Sequence, residues 1–143
     1  MNTWLEAVFP LDLSLTSERE ATILAPLMVQ KLSVVVPAYN EEERLGPTLD
    51  RMIDYLRDMP RDWELVIVDD GSKDRTREEI ERFRRDHPDA LVRPVPHAHN
   101  RGKGAAVRTA LGGATGDLVI IQDGDLEYDP KDFPQLLEPL LDG

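Results

Sequence analysis

Four short apolar runs alternate with stretches of helical spacing, and this alternation constrains the chain more than any other feature. Residues 32–36 form a continuous, largely β-branched run ended by Pro37, which suits a strand buried on both faces. Leu45, Leu49, Met52, Ile53 and Leu56 then recur at helical spacing. Residues 63–68 repeat the strand pattern and stop at Asp69, Asp70 and Gly71. Residues 75–86 read as a highly charged helix with Ile80 and Phe83 as its apolar anchors, ended by His87 and Pro88. A weaker strand spans 91–95, a helix rich in small residues spans 102–111 and closes at Gly112 and Gly113, and a fourth strand spans 118–122. Pro130 opens a last helix carrying Phe133, Leu136, Leu137 and Leu140. Strands joined through helices at this spacing imply right-handed crossovers and a mostly parallel α/β sheet covered on both faces.

The 143 residues fit one domain and suffice for a real core without staples. A content of 41% hydrophobic and 31% charged residues is that of an ordinary globular protein. The formal net charge of −11 argues against a surface that grips nucleic acid, because such binding needs a basic field. A phosphate-bearing ligand must then be held by local donors or by a metal. Cysteine is absent, which removes disulfides, thiolate catalysis and Cys-ligated metal sites. The apolar runs are far shorter than the roughly 20 residues of a membrane span, and Glu6, Pro10 and Asp12 interrupt the start as no signal peptide would allow. A cytoplasmic location is the expectation.

Residues 1–31 stand apart as an extension. Ser17 with Glu20 is a capping box for a helix carrying Ile23, Leu24, Leu27 and Met28 on one side. Such a face can lie on a membrane surface or a partner, but the scarcity of basic residues favours an appendage packed on its own domain or loosely ordered.

In open α/β sheets ligands bind at the carboxyl ends of the strands, which directs attention to three acidic turns. They are Pro37-Ala38-Tyr39-Asn40-Glu41, Asp69-Asp70-Gly71-Ser72 and Asp123-Gly124-Asp125-Leu126-Glu127. Asp123 and Asp125 flank a glycine directly after a buried strand, where two carboxylates repel unless a cation sits between them. Hard oxygen ligands suit Mg²⁺ or Mn²⁺, ions that keep positions open for substrate phosphates. Asp70 can accept hydrogen bonds from a nucleobase or ribose, although Asp69 or Asp70 can also be purely a turn former. Ser72 or Asp74 is placed to cap the next helix. Tyr39 offers an aromatic face, and residues 41–43 have a plainer reading as the acidic first turn of a helix. Asn100-Arg101-Gly102-Lys103-Gly104 puts basic and small residues at a helix start, an arrangement that can approach phosphate without being a Walker loop. His97 and His99 lie in a Pro-flanked loop and read as surface residues.

Taken together, "LSVVVPAYNEEERL", "ELVIVDDGSKDRT", "NRGKGAAVR" and "GDLVIIQDGDLEYDP" make residues 32–143 resemble the family 2 glycosyltransferases of the GT-A fold. The resemblance is strongest to the branch that makes polyprenyl-phosphate sugars. It implies a Rossmann-like three-layer αβα sandwich, of which this chain shows the N-terminal, donor-binding half. It also implies that Pro37, Tyr39 and Glu41 border the nucleotide pocket, that Asp70 contacts the nucleoside, and that Lys103 and Asp123 lie near the donor. Asp123 and Asp125 match the D-x-D pair that binds the metal and the donor diphosphate, and Glu127 a position that adds a third ligand. Relatives mostly carry Ala where this chain has Gly124. The implied reaction is inverting transfer of a hexose from a nucleotide sugar, of the UDP-glucose or GDP-mannose type, to a polyprenyl or dolichyl phosphate. A phosphate acceptor is already an anion, so no catalytic base is assigned. Peripheral association with the cytosolic face of a membrane follows from such an acceptor. A sugar-hydroxyl acceptor, or a nucleotide-binding fragment without catalysis, is the alternative.

Overall fold

The computed structural model describes residues 7–8, 31–59 and 61–123. Their elements run β1 (Ala7–Val8), β2 (Lys31–Ala38), α1 (Leu45–Arg57), β3 (Asp62–Asp69), α2 (Thr76–Asp86), β4 (Val92–Pro96), α3 (Lys103–Gly113) and β5 (Leu118–Ile121). The strands form one sheet in the order β1-β5-β2-β3-β4. All pairs are parallel except β1 with β5, where Ala7 faces Ile120 and Val8 faces Val119. A short piece of the expected N-terminal extension therefore belongs to the sheet. The capping box at Ser17 and the helix at Pro130 lie outside the described residues.

Alternation along each strand divides the core between the two faces. Leu32, Val34, Val36, Leu65 and Ile67 face one way and pack with Leu49, Met52, Ile53 and Leu56 of α1 and Ile80 and Phe83 of α2. Val35, Val66, Val68, Val119 and Ile121 face the other way and meet Ala106 and Ala110 of α3. The three layers are those expected, and α1 and α2 use the apolar positions their spacing marked.

Pro37 does not end β2. It is buried within the strand, in register with Val68, and β2 continues to Ala38. Val35 accepts from the Gln122 amide on the β5 side, whereas Ala38 accepts from Asp70 on the β3 side. Residue 37 thus turns its missing N–H toward β5, and the proline stops that ladder while leaving the β3 ladder intact. Beyond Val35 and Ile121 the two strands are no longer paired.

The acidic run is also placed differently from expectation. α1 begins at Leu45 with no acidic residue in its first turn, and the Glu41 carbonyl accepts from the amides of Arg44 and Leu45. Residues 41–44 form a turn ahead of the helix, because the Glu41 and Glu42 amides donate to Thr76 and Asp74.

Candidate functional site

The chain leaves β2 toward β3 on one side, and β5 returns on the other. The direction of winding therefore reverses between β2 and β5, which is where open α/β sheets form a ligand crevice. Pro37 ends the β2–β5 pairing at this point. Tyr39 and Asn40 follow β2, Asp123 follows β5, and Lys103 opens the helix that leads into β5.

The first two turns are laced together. The Asn40 amide donates to Ser72 Oγ at 3.0 Å, the Lys73 amide to Asn40 Oδ1 at 2.9 Å, and the Glu41 amide to Thr76 Oγ1 at 2.8 Å. Glu42 and Asp74 exchange similar bonds with the opposite backbone, at Arg75 and Glu42. Asp74 also accepts from the Thr76 amide, a local turn bond, and Ser72 serves Asn40; the N-cap position of α2 is Arg75 and carries no side-chain cap bond, so neither expected residue caps the helix. Asn40 has a φ of 50°, a left-handed conformation that asparagine tolerates. Tyr39 is 39% exposed beside these bonds and presents its ring to solvent, whereas Pro37 is buried.

Asp69 and Asp70 divide their work. Asp69 is a turn former: its carboxylate accepts from the Ser72 amide at 3.0 Å and pairs with Arg77 Nε at 3.1 Å. Asp70, 3% exposed, accepts from His97 Nδ1 at 2.8 Å, the Arg101 amide at 2.9 Å and the Gly102 amide at 3.0 Å. Burial pushes its carboxyl up, but the bonds from His97, Arg101 and Gly102 outweigh this and hold its pKa below the ordinary Asp value. Three of its roughly four lone-pair sites are thus taken within the protein.

His97 is buried, 6% exposed, contrary to the surface role read from its Pro-flanked loop. Its Nε2 meets Thr109 Oγ1 at 2.8 Å, so the ring bridges Asp70 and α3. Neither His97 nor Thr109 stood out in the sequence. The signal available was position: His97 directly follows β4, on the same carboxyl edge as the three acidic turns.

At the crevice, Lys103 Nζ lies 2.7 Å from Asp123 Oδ1. The lysine is half exposed and the aspartate mostly buried, so a cation already sits on the carboxylate where a metal was expected. The donor set of Asp123 therefore fits a positive ligand. Asp125 and Glu127 lie outside the described residues, and no group of at least three His, Cys, Asp or Glu side chains converges for a metal among the described residues. No helix among them is long and apolar enough to cross a membrane.

Residues 33–143 match the family model described as glycosyl transferase family 2. The chain belongs to this family. It is similar to a dodecaprenyl-phosphate galacturonate synthase of Rhizobium johnstonii, with 38% identity over 115 residues, covering 80% of this chain and 34% of that protein. It is similar also to a dolichyl-phosphate beta-glucosyltransferase of Trichomonas vaginalis, with 41% identity over 120 residues, covering 80% of this chain and 36% of that protein. Among solved structures it resembles a mannosyltransferase of Pyrobaculum calidifontis in complex with GDP-Man and Mn²⁺. That match has a TM-score of 0.72 and 34% identity, and covers 82% of this chain and 34% of the other. A glucosyl-3-phosphoglycerate synthase of Mycobacterium tuberculosis, bound to Mn²⁺ and UDP, matches with a TM-score of 0.64 and 31% identity, covering 83% and 42%. This family 2 chain thus spans about one-third of the length of these curated relatives. Its α/β architecture is that of the GT-A fold.

Proposed function

We propose that this family 2 chain supplies the nucleotide-sugar-binding part of an inverting glycosyltransferase that moves a hexose to a polyprenyl or dolichyl phosphate. The observation that carries the reading is the Lys103–Asp123 pair, 2.7 Å apart, beside the switch point between β2 and β5, with the exposed Tyr39 following β2. The identities to polyprenyl-phosphate and dolichyl-phosphate enzymes support the acceptor class, and the mannosyltransferase bound to GDP-Man and Mn²⁺ supports the donor class. A UDP-hexose or a GDP-hexose fits this reading equally.

In the reaction, an acceptor phosphate oxygen attacks the anomeric carbon while the bond from that carbon to the nucleoside diphosphate breaks. The acceptor oxygen is already anionic, so no side chain has to remove a proton from it. A Mg²⁺ or Mn²⁺ ion held by Asp123, Asp125 and Glu127 would neutralise charge on the departing diphosphate. Lys103 adds a second positive charge from the start of α3, where backbone amides and the helix dipole also favour an anion. Asp70 fixes the backbone that carries Lys103. Tyr39 offers a base-stacking face, and Pro37 and Glu41 shape the turn beside it. Peripheral binding at the cytosolic face of a membrane would bring the lipid-linked acceptor to the crevice.

Incubation with radiolabelled UDP-glucose or GDP-mannose, polyprenyl phosphate and Mn²⁺ tests this reading. Label should pass to the lipid phase with one donor and depend on Asp123. Nucleotide binding without any transfer would contradict the catalytic part, and transfer to a sugar hydroxyl instead would contradict the acceptor.

A further inference from the structure

We propose that His97 is a positioning residue for donor binding: clamped between Asp70 and Thr109, it sets the 97–102 loop and through it the reach of Lys103 to the phosphates of a nucleoside diphosphate. The inference rests on the donor-binding reading above and adds a residue to it.

The loop is pinned to the end of β3 from several directions. The His97 amide donates to the Asp69 carbonyl at 2.8 Å, continuing the β3–β4 ladder for one more bond. Asp70, by collecting Arg101 and Gly102, folds the far end of the loop back onto the same turn. Between them, residues 99 and 100 press on Gly71, where an added Cβ would lie 2.3 Å from the His99 carbonyl carbon. His97 supplies what these backbone contacts lack, a side-chain strut to the helix. An ionised Asp70 only accepts, so Nδ1–H donates to it, while Nε2 bonds the Thr109 hydroxyl, a group that can both donate and accept.

Thr109 lies six positions after Lys103 on α3, or nearly two turns. Fixing Thr109 against Asp70 therefore sets both the rotation and the height of the helix whose first residue is Lys103. The observed outcome is an ammonium placed 2.7 Å from Asp123 at the crevice. His97 itself is buried and its ring bonds go to Asp70 and Thr109, so its influence on a ligand passes through the loop and helix.

The test combines amide hydrogen exchange with titration of UDP and GDP in Mn²⁺, using His97→Phe, His97→Asn and Thr109→Val. His97→Phe should weaken nucleotide binding about tenfold and accelerate exchange at the Arg101 and Gly102 amides. Thr109→Val should give a smaller loss, and His97→Asn, whose amide still donates to Asp70, should recover part of it. In a Lys103→Ala background, His97→Phe should cost less than about twofold more, because coupled residues are not additive. A lower melting temperature with unchanged affinity, or full additivity with Lys103→Ala, would overturn the proposal. A wild-type chain that binds neither nucleotide contradicts the donor reading instead, and unchanged exchange at Arg101 and Gly102 in His97→Phe then overturns the clamp on its own.

Discussion

Glu64 shows how one residue can hold the end of the sheet opposite the crevice. Its side chain is fully buried on β3, yet every neighbour that reaches it donates or is positive. Oε1 accepts from Ser33 Oγ at 2.8 Å and from the amide and hydroxyl of Thr115, while Oε2 pairs with Arg93 at 3.1 Å and Lys31 at 3.5 Å. Burial pushes the carboxyl up, but the bonds from Thr115 and Ser33 and the Lys31 charge outweigh it, leaving the pKa below the ordinary value of 4.5. A depressed folded-state pKa contributes stability that is present above the unfolded value and lost as pH falls through the folded value. Stability should therefore decline from about pH 4.5 downward, and Glu64→Gln should flatten that acid limb in urea titrations. Glu64→Ala should cost about 1–3 kcal/mol at neutral pH, since it leaves the buried Ser33 hydroxyl without its acceptor while the partly exposed Arg93 and Lys31 return to water. Nothing in the sequence marked this residue, because a single acid within a strand pattern carries no periodic signal.

At the scale of elements, the strands and helices were legible because their apolar periods are strong, and the misplacements have local causes. Pro37 reads as a terminator, yet its missing N–H matters only on the side facing β5. The first acidic turn of α1 failed because Glu41 and Glu42 give their amides to Thr76 and Asp74, beyond the end of β3. The two-residue β1 is too short for any pattern, and His97 looked exposed because its loop folds back on Asp70. The same loop makes Gly71 a sensitive position, since it combines a φ of 70° with backbone at 2.4 Å from an added Cβ. Gly71→Ala should cost at least about 1–3 kcal/mol from the left-handed backbone alone, measured by urea unfolding, and weaken nucleotide binding with it. β4 carries a different device at the edge of the described sheet. His97 donates to β3, and Leu91 accepts from it, so residues 92, 94 and 96 turn their backbone outward. Pro94 and Pro96 occupy two of these positions and remove the donors an added strand would need. The double substitution Pro94→Thr, Pro96→Thr should raise self-association, seen as concentration-dependent light scattering.

On the scale of the whole molecule, the net charge of −11 spoke against a surface that grips nucleic acid and left phosphate ligands to local donors or a metal. The structure makes that charge local: Asp69 and Asp70 are buried and occupied within the fold, and Asp123 holds a lysine at the crevice. The three strand-end turns were legible as a group, and two of them are bound to each other by the bonds between residues 40–42 and 72–76. Asp125 and Glu127, the further proposed metal ligands, lie outside the described residues. The switch point between β2 and β5 is proposed to bind a nucleoside diphosphate through a metal on Asp123. Titrating UDP and GDP into the chain with and without Mn²⁺, while following thermal unfolding, tests it most directly. One nucleotide, at about 100 times its dissociation constant, should stabilise the fold by about 2.7 kcal/mol with Mn²⁺, and Asp123→Ala should abolish the effect. Equal stabilisation without metal, or stabilisation that survives Asp123→Ala, would contradict the claim, as would no response to either nucleotide.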